Sequence, residues 1–488
     1  MKPFVPCLNL LPLALALAIA GCANDHGLAP DATLSEAANL RAAATLAPVT
    51  VTPAAWPSTT WWAGLGDPQL NSLIDEALRD SPDLQVAAAR AHRAMAEANA
   101  VDADRSPYIG ADANVSRSRL AKVQDPLVQG ERLSTLRTAE VTFDYTFDLW
   151  GGERAAWEAA LGQARAAEVD HQAARLTLAV DVARAYSDLG HAFIAADIAQ
   201  EDLKRTGQML TLGRQRLAAG IDSQYQLQQT QSLEASSREQ AVDAEKQLRS
   251  ARIALAVLLG KGPDRAGDIA RPQTLKPAAV ALPSVLPADL LGRRPDLVAA
   301  RWRVEAASRD VKVSKTRFYP NLNLTAAAGT QSMLGDALFG GPSRFFNIAP
   351  AVSLPLFDGG RLRAGLDARD ADYELAVAQY NKTLVGALGE VADAINRLEA
   401  LGRQVAAKQQ AVDVAQQSFG TVTERYGSGI GNYLDVLSIE QQLFGAQQQL
   451  ASLNAQRIDA SIKLMQALGG GYQGDALASA QALREHSR

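Results

Sequence analysis

The chain has 488 residues, of which 47% are hydrophobic and 6% aromatic, and its formal net charge is −5. The apolar fraction is ordinary for a folded protein, but so few aromatic side chains favour closely approaching helices over a thick globular core. The net charge is negative, so nothing indicates a nucleic-acid partner.

The first 21 residues have the features of an export signal. Lys2 supplies a positive charge, and residues 8–20 form an apolar segment too short to span a membrane as a helix. The segment ends at Ile19-Ala20-Gly21-Cys22, which resembles a bacterial lipobox. The resemblance implies cleavage before Cys22, a diacylglycerol thioether on its sulfur and an acylated amino terminus. The alternative is a free thiol beside a simple cleavage site.

The cysteine count fits this interpretation. Cys7 would be removed with the signal, so the mature chain would hold one cysteine and could form no internal disulfide. Several acyl chains anchor a protein to a bilayer far better than one does. Residue 23 is Ala rather than Asp, which by family resemblance favours sorting to the outer membrane.

Two short helices are predicted after an irregular start. Residues 22–67 are predicted to form a lipidated tether, because residues 23–60 are rich in Ala, Pro and Thr. Asp67 and Pro68 have the residue types that cap and open a helix, here predicted to run to Arg79. A second helix is predicted from Pro82 to about residue 105.

The next segment changes to twofold periodicity. Two runs of about 10 residues alternate apolar and polar side chains, as in a strand with two different faces, and this length lets a tilted strand cross a membrane. The apolar positions are Ile109, Ala111, Ala113 and Val115 in the first run, and Ala139, Val141, Phe143, Tyr145 and Phe147 in the second. A hairpin with a polar loop over residues 117–137 is therefore predicted.

Residues 153–217 form the longest helical pattern and contain no proline. At about 1.5 Å per residue, a helix of this length spans roughly 97 Å, more than the diameter of a typical domain. A return helix is predicted at residues 222–259, closed by Gly260, and the Pro-rich residues 261–288 follow as a linker. Few soluble enzymes need such a helix, whereas a spacer, a coiled coil or a tube does.

The second half of the chain repeats the first. The two repeats are predicted at residues 68–260 and 289–470, with a C-terminal tail at residues 471–488. Matching segments are Ser81-Pro82-Asp83-Leu84 with Arg294-Pro295-Asp296-Leu297, Phe147-Asp148 with Phe357-Asp358, Gly220-Ile221 with Gly429-Ile430, and Gly260 with Gly469. The strands recur, with Leu322, Leu324, Ala326 and Ala328 on one parity of the third and Ile348, Val352, Leu354 and Leu356 on one parity of the fourth. Pro350 and Pro355 argue against a central place for the fourth strand.

Four strands cannot close a barrel, and lipid does not tolerate an open sheet edge. If the strands cross a membrane, several chains must share one barrel: a dimer gives about 8 strands, too narrow for an open pore, and a trimer about 12. The helices would continue the barrel as a tube, in whose wall Ala179, Ala183, Tyr186 and Leu189 are expected to pack laterally. The alternatives are a soluble four-helix coiled coil capped by a small sheet, and a lipid-anchored coiled-coil spacer without channel activity.

The whole arrangement resembles the outer-membrane efflux factors of the TolC/OprM type, in their NodT-like lipoprotein branch. The matching residues are Trp61-Trp62, Asp67-Pro68-Gln69-Leu70, Phe147-Asp148-Leu149-Trp150-Gly151, Asp289 to Leu297, Leu356-Phe357-Asp358-Gly359-Gly360, and Arg425-Tyr426 through Gly429 to Leu437. The resemblance implies a mainly α fold with a small β part. It implies a homotrimer with a 12-stranded outer-membrane β-barrel, four strands per chain, continued by a long periplasmic α-helical barrel. Residues 261–288 would be the linker in its equatorial region.

The same resemblance implies a function. The protein would be the passive exit duct of a tripartite exporter in the outer membrane, with a periplasmic adaptor (membrane fusion) protein and an inner-membrane pump as partners. It would need no cofactor beyond the covalent lipid on Cys22, and its barrel would contact outer-membrane lipid. Its role would be transport in efflux, including multidrug resistance.

The resemblance also places a gate at the periplasmic tip. Asp435 falls where the family has an aperture-lining aspartate, and Leu434 or Tyr433 would add a constriction. The alternative for Asp435 is an ordinary acid favoured at a helix N-terminus. The chain departs from the family at Ser438, where a second aspartate is expected, and at Gly431, where an arginine is expected.

The helix turns at the tip are the predicted docking place of the adaptor. These turns are Gly220, Ile221 and Asp222 in the first half, and Gly429, Ile430 and Gly431 in the second. The alternative is that these glycines serve only to turn the chain.

Nothing in the sequence indicates an enzyme. The five histidines are scattered without metal-ligand spacing, and no phosphate-binding, dinucleotide-binding or serine-nucleophile motif occurs. No catalytic residue and no metal site are therefore predicted.

Overall fold

The computed structural model describes residues 28–30, 32–35, 52–53, 56–119, 133–277, 281–282, 290–333 and 338–474. The predicted signal, the lipobox and Cys22 lie outside these residues. Residues 475–488 of the predicted tail also lie outside them. The chain divides into two compact units. Of the described residues, those within 28–34, 90–167 and 300–380 form unit 1, and those within 35–89, 168–299 and 381–474 form unit 2.

Two series of elements follow one another in the same order. The first is β1 (Thr52–Pro53), a 3-10 helix (Trp61–Leu65), α1 (Pro68–Asp80), α2 (Pro82–Ala103), β2 (Tyr108–Arg119), β3 (Leu133–Phe147), α3 (Gly152–Ala218) and α4 (Gln224–Leu258). A 3-10 helix (Pro263–Asp268) and β4 (Ala281–Leu282) come next. The second series is α5 (Leu290–Arg293), α6 (Pro295–Thr316), β5 (Asn321–Ser332), a 3-10 helix (Gly341–Ser343), β6 (Arg344–Ser353), α7 (Arg361–Gly427) and α8 (Tyr433–Ala467).

The helix lengths confirm the internal repeat. The long helices α3 and α7 have 67 residues each, and the return helices α4 and α8 have 35 each. The short helices α2 and α6 have 22 residues each. The predicted bounds of α2, α3 and α4 agree with the structure to within a few residues, because helical periodicity and the flanking Pro and Gly residues mark their ends.

Unit 1 contains a four-stranded antiparallel sheet in the order β2-β3-β5-β6. The register pairs Ala111 with Val141, Val141 with Ala328, and Ala328 with Phe346. Directly paired residues share one face of a sheet, so the apolar positions of all four strands lie on the same face. The strands reach into the predicted loop, to Arg119 and from Leu133. The predicted alternation is confirmed.

The fourth strand ends earlier in the chain than predicted. It ends at Ser353, so Leu354, Pro355 and Leu356 lie beyond it, and the parity argument extends only to Val352. Pro350 lies within β6, which is an outer strand of the sheet of the chain. An outer strand tolerates proline, which has no backbone N–H to donate to a neighbouring strand.

One face of α3 packs into the core of unit 2. Ala179, Ala183, Tyr186 and Leu189 on α3 are at most 1% exposed, and they pack in one cluster with α1 side chains such as Leu70. These residues are therefore buried within their own chain. They were predicted to pack laterally in the wall of a helical tube, and the structure shows that the short helix α1 is one of their packing partners.

The predicted tether is also more ordered than expected at its C-terminal end. Trp61, Trp62 and Leu65 are buried in the same cluster, with the two indole rings in edge-to-face contact at 5.8 Å. β1, in the predicted tether, pairs in parallel with β4, in the predicted linker, so these two segments form a short two-stranded sheet.

Among the described residues, no helix combines the length and the apolar character needed to cross a membrane.

Candidate functional site

The two turns that join each long helix to its return helix have the same backbone. In the first turn, Gly220 has a φ of 72°, and Ile221 N–H donates to Arg216 O at 2.9 Å. In the second, Gly429 has a φ of 81°, and Ile430 N–H donates to Arg425 O at 3.0 Å. This helix ending requires a left-handed residue, which glycine adopts without a steric penalty.

A salt bridge closes the first turn. Arg216 at the end of α3 bonds to both carboxylate oxygens of Asp222, from Nε at 3.0 Å and from Nη2 at 3.1 Å. The two side chains are only 14% and 7% exposed. A two-point pair of this kind fixes the orientation of both groups as well as attracting them.

Tyr426, at the end of α7, joins the same carboxylate. Its hydroxyl donates to Asp222 Oδ2 at 2.8 Å, and the Arg216 guanidinium lies 4.3 Å from the centre of its ring. Arg216 Nη1 also donates to the Tyr426 carbonyl oxygen at 3.3 Å. Arg216, Asp222 and Tyr426, here called the turn lock, therefore tie the first helix turn to the second long helix.

Burial and hydrogen bonding have opposite effects on the pKa of Asp222, but both raise the pKa of Tyr426. Burial alone would raise the pKa of Asp222, but the bonds from Arg216 and Tyr426 hold that pKa below its usual value. Burial raises the pKa of Tyr426, and donation to Asp222 raises it further. Both shifts favour an ionised Asp222 that accepts from a neutral Tyr426.

The second turn has no equivalent lock. The repeat counterpart of Asp222 is Gly431, and a Cβ there would lie 2.7 Å from Tyr426 N and 3.0 Å from Arg425 C. No side chain fits at that distance, so the departure from the family pattern at Gly431 has a steric reason. Arg425, the counterpart of Arg216, is exposed.

Tyr433 lies inside the chain. It is 4% exposed, its hydroxyl bonds to the buried Thr230 hydroxyl on α4, and its ring lies 5.7 Å from that of Tyr426. Met209 and Val436 complete this apolar cluster. A side chain buried in this way cannot line an aperture, so the prediction that Tyr433 constricts one is corrected.

Asp435 and Leu434 are both exposed, Leu434 by 57%. They occupy the first turn of α8, whose N-cap Asn432 accepts from Leu434 N–H at 3.1 Å. This position agrees with the alternative interpretation of Asp435 as a helix N-terminal acid, and it also leaves the carboxylate open to solvent. Ile221 and Ile430, on the two turns, are 62% and 75% exposed.

The described residues contain no group of acidic, His or Cys side chains that could hold a metal ion.

Known proteins identify the family. The model of the outer membrane efflux protein family matches residues 73–261 and 286–470, one match for each repeat. The chain belongs to this family. The resemblance inferred from the sequence motifs is thereby confirmed, together with the outer-membrane location.

Relatives cover most of the chain. The fusaric acid resistance protein FusA of Burkholderia cepacia is 36% identical over 75% of this chain and 69% of its own length. The pyoverdine export outer membrane protein OpmQ of Pseudomonas aeruginosa is 32% identical over 85% of this chain and 88% of its own. The crystal structure of the outer membrane protein VceC of Vibrio cholerae aligns with a TM-score of 0.79 and 36% identity, over 86% of this chain and all of VceC.

The motifs that indicated the family serve mainly to fix helix ends in this efflux protein. Asp148 accepts from the N–H groups of Glu153 and Arg154 at the start of α3. Asp358 does the same for Gly360 and Leu362 at the start of α7. Each aspartate satisfies backbone donors that a helix N-terminus leaves free.

Two other motifs hold parts of unit 2 together. Asp67 caps α1 by accepting from Gln69 N–H, and it also accepts from the buried Tyr186 hydroxyl at 2.6 Å. Arg294, 8% exposed, pairs with Asp296 at 2.7 Å and with Glu390 at 2.8 Å. These contacts explain why the motifs contain charged residues although they lie in or beside the core.

Sequence reasoning missed the partners within the turn lock. Asp222 was predicted only as a docking residue, and Tyr426 appeared only within a family motif. The pairing of Asp222 with Tyr426 joins positions 204 residues apart. No local pattern indicates such a contact, although the failure of the repeat at Gly431 marks the place where the two halves differ.

Proposed function

We propose that this efflux protein is the passive exit duct of a tripartite exporter, formed by three copies in the outer membrane and gated at the two helix turns. The sheet of unit 1 is the observation that carries this proposal. Its shared apolar face is open to solvent, with Ile109 68%, Ile348 65% and Phe346 81% exposed. Such a face suits lipid rather than water.

The edges of the sheet point to an assembly. In the described part of the chain, β2 and β6 each pair on one side only. An unpaired edge is not tolerated in lipid, so β6 of one copy must pair with β2 of another until a barrel closes. Three copies supply about 12 strands, enough for an aqueous bore.

The opposite face suits that bore. Asp112 is directly paired with Glu140, and Thr146 with Asn323, so carboxylates and amides lie on this face. Thr146 Oγ1 also bonds to Asn323 Oδ1 at 3.0 Å. A polar wall lets small solutes pass without offering them a binding pocket, which fits a duct whose selectivity resides in the pump.

Two measurements test the assembly and the duct. Light scattering of the detergent-solubilised protein, corrected for detergent, should give the mass of three 51.8-kDa chains less their signal peptides. The same trimers in a planar bilayer should conduct ions when opened. A monodisperse single chain, or trimers that never conduct, would instead favour the lipid-anchored spacer.

The gate is proposed at the start of α8. Three copies of exposed Asp435, brought together on the threefold axis, would repel one another and narrow the opening, and Leu434 would add an apolar ring. The turn lock would hold this arrangement, because it fastens the first helix turn to the end of α7 in every copy. Opening then requires the lock to break or to move as a unit.

The adaptor and the cargo are proposed from the exposed side chains of the helix turns and from the names of the relatives. Ile221 and Ile430, exposed beside Gly220, Gly429 and Gly431, offer small apolar steps for a periplasmic adaptor, which would link the duct to an inner-membrane pump. FusA and OpmQ are named for fusaric acid resistance and pyoverdine export, which supports small organic molecules as cargo. Acylation of Cys22 would anchor each copy to the outer membrane, and no other cofactor is proposed.

A further inference from the structure

Glu440 is an acid on the buried face of α8, where an apolar side chain is expected. Tyr433, Val436, Glu440 and Leu443 follow one another at helical spacing on the buried side of α8, and each is at most 4% exposed. Glu440 is 2% exposed, and no described residue hydrogen bonds to either oxygen of its carboxyl group. A buried carboxylate without hydrogen bonds is costly, so an acid at such a position calls for a physical explanation.

The charges around Glu440 come from α3. Arg205 Nε lies 3.7 Å from Glu440 Oε1, and Arg205 Nη2 lies 3.2 Å from Asp202 Oδ1. Asp202 is 6% exposed and also accepts from the Ser237 hydroxyl of α4 at 2.7 Å. We call Asp202, Arg205, Ser237 and Glu440 the buried acid cluster.

The other elements packed here add little charge. On α7 the Phe419 ring lies 6.0 Å from the Arg205 guanidinium, and on α8 Tyr433 is the titratable neighbour that Glu440 influences. On α4, Glu234 and Arg238 bond to each other, and Arg238 is largely exposed. The cluster therefore holds two carboxyl groups against one guanidinium, and it is neutral only when one carboxyl carries a proton.

We propose that the buried acid cluster is a proton-binding site that regulates the proposed gate: Glu440 holds a proton while the helices are packed, and releases it to water when they separate. The proton leaves the Glu440 carboxyl as the O–H bond breaks, and the carboxylate left behind is hydrated. Arg205 stays paired with Asp202 in both states. This inference rests on the proposed function only for its effect on opening.

The burial of Glu440 and the charges around it support Glu440 as the group that holds the proton. Burial, with the Asp202 carboxylate nearby, raises the pKa of Glu440 to about 7, although Arg205 partly opposes the shift. The group therefore changes charge near neutral pH. Asp202 accepts two hydrogen bonds, from Arg205 and Ser237, whereas no described residue donates one to the Glu440 carboxyl group.

The sign of the effect follows from linkage. The open state exposes Glu440 to water and binds fewer protons than the packed state, so acid pH favours closure and alkaline pH favours opening. Three copies contribute one site each. Because Glu440 lies seven residues from Tyr433, two helical turns along α8, a charge there acts on the helix that carries Asp435.

The first test detects the proton directly. Infrared difference spectra of the intact protein in detergent, between pH 5 and pH 8, should show a buried carboxylic-acid band that disappears with a midpoint near pH 7. The band should be absent from Glu440→Gln and unchanged in Glu424→Gln, a control at an exposed acid on α7. If the band persists in Glu440→Gln, or if none titrates in this range, the proposal is wrong whether or not the protein forms a duct.

The second test links the site to opening. The ratio of open to closed states, from single-channel open probability, should rise about tenfold per chain from pH 6 to pH 8 in the wild type and in Glu424→Gln, and less than twofold in Glu440→Gln. Asp202→Asn removes the repelling carboxylate and should move the midpoint to lower pH, whereas Arg205→Gln should move it to higher pH. Equal pH responses in the wild type and Glu440→Gln would refute regulation. Absence of any conductance, with the infrared band present, would refute the duct and leave the proton site standing.

Discussion

The bond between Tyr426 and Asp222 gives the sharpest test of how the proposed gate is held. Tyr426→Phe removes one hydroxyl that donates to a carboxylate at 2.8 Å, and it changes nothing else in the side chain. Hydrogen bonds to charged groups contribute about 1.5–3 kcal/mol each. If opening breaks this bond, the substitution should raise the ratio of open to closed chains by about 10- to 100-fold.

Asp222→Asn should raise the ratio of open to closed chains more than Tyr426→Phe does. It removes the counter-charge of Arg216, whose side chain is 14% exposed, and a partner left without compensation costs about 3–5 kcal/mol when it is buried. The matched control is Arg425→Ala, because Arg425 is the repeat counterpart of Arg216 and the position equivalent to Asp222 is Gly431. This control should leave opening unchanged.

The assay is single-channel recording of purified protein in planar bilayers, with open probability as the readout. Light scattering and the thermal midpoint of each variant establish that it assembles like the wild type. An open probability of Tyr426→Phe within twofold of the wild type, in a correctly assembled protein, would show that the turn lock does not hold the closed state.

Three further predictions concern other parts of the chain. Asp435→Ala should raise conductance by removing a ring of carboxylates, and an unchanged trace would exclude Asp435 from the gate. Cys22→Ser should abolish acylation, so that mass spectrometry of the purified protein finds no lipid at its N-terminus, whereas an unmodified wild type would exclude the anchor. Glu440→Gln should raise the thermal midpoint at pH 8 but hardly at pH 4. The wild type loses about 3 kcal/mol per chain as pH rises from the ordinary pKa of a glutamate towards 7, because the folded state binds the extra proton. Equal midpoint shifts at both pH values would contradict the raised pKa.

The regular elements could be predicted because their signals are local. The 67-residue helices lack interior prolines, and the strands of the sheet alternate apolar and polar residues over most of their length. The register then placed Ile109, Val141 and Ile348 on one face, as alternation requires. The repeat added independent support, since two halves with the same periodicity predict the same elements twice.

The contacts of unit 2 could not be predicted in the same way. The stripe of Ala179, Ala183, Tyr186 and Leu189 was correctly identified as a packing face, but its partner depends on where the short helix α1 lies. Tyr433 was assigned to an aperture by resemblance, although its spacing to Val436 and Leu443 already indicated a buried face. The same spacing would have shown Glu440 as the acid within that face.

The two halves of the chain share a backbone fold but differ in their side chains. The two proposed controls of the gate, the turn lock and the buried acid cluster, therefore respond differently to pH. Asp222, whose pKa is held below its usual value, stays ionised throughout the range in which Glu440 titrates. A change from pH 6 to pH 8 should therefore leave the turn lock intact while it charges the buried side of α8.

The two controls should then act independently. The double variant Tyr426→Phe with Glu440→Gln should retain the full increase in open probability of Tyr426→Phe, but it should lose the pH response. Changes at sites without shared partners add, whereas changes within one network do not. An increase much smaller than that of Tyr426→Phe alone would mean that the lock and the buried acid cluster form one network, in which the proton on Glu440 acts through Tyr433 on Tyr426 rather than on α8 as a whole.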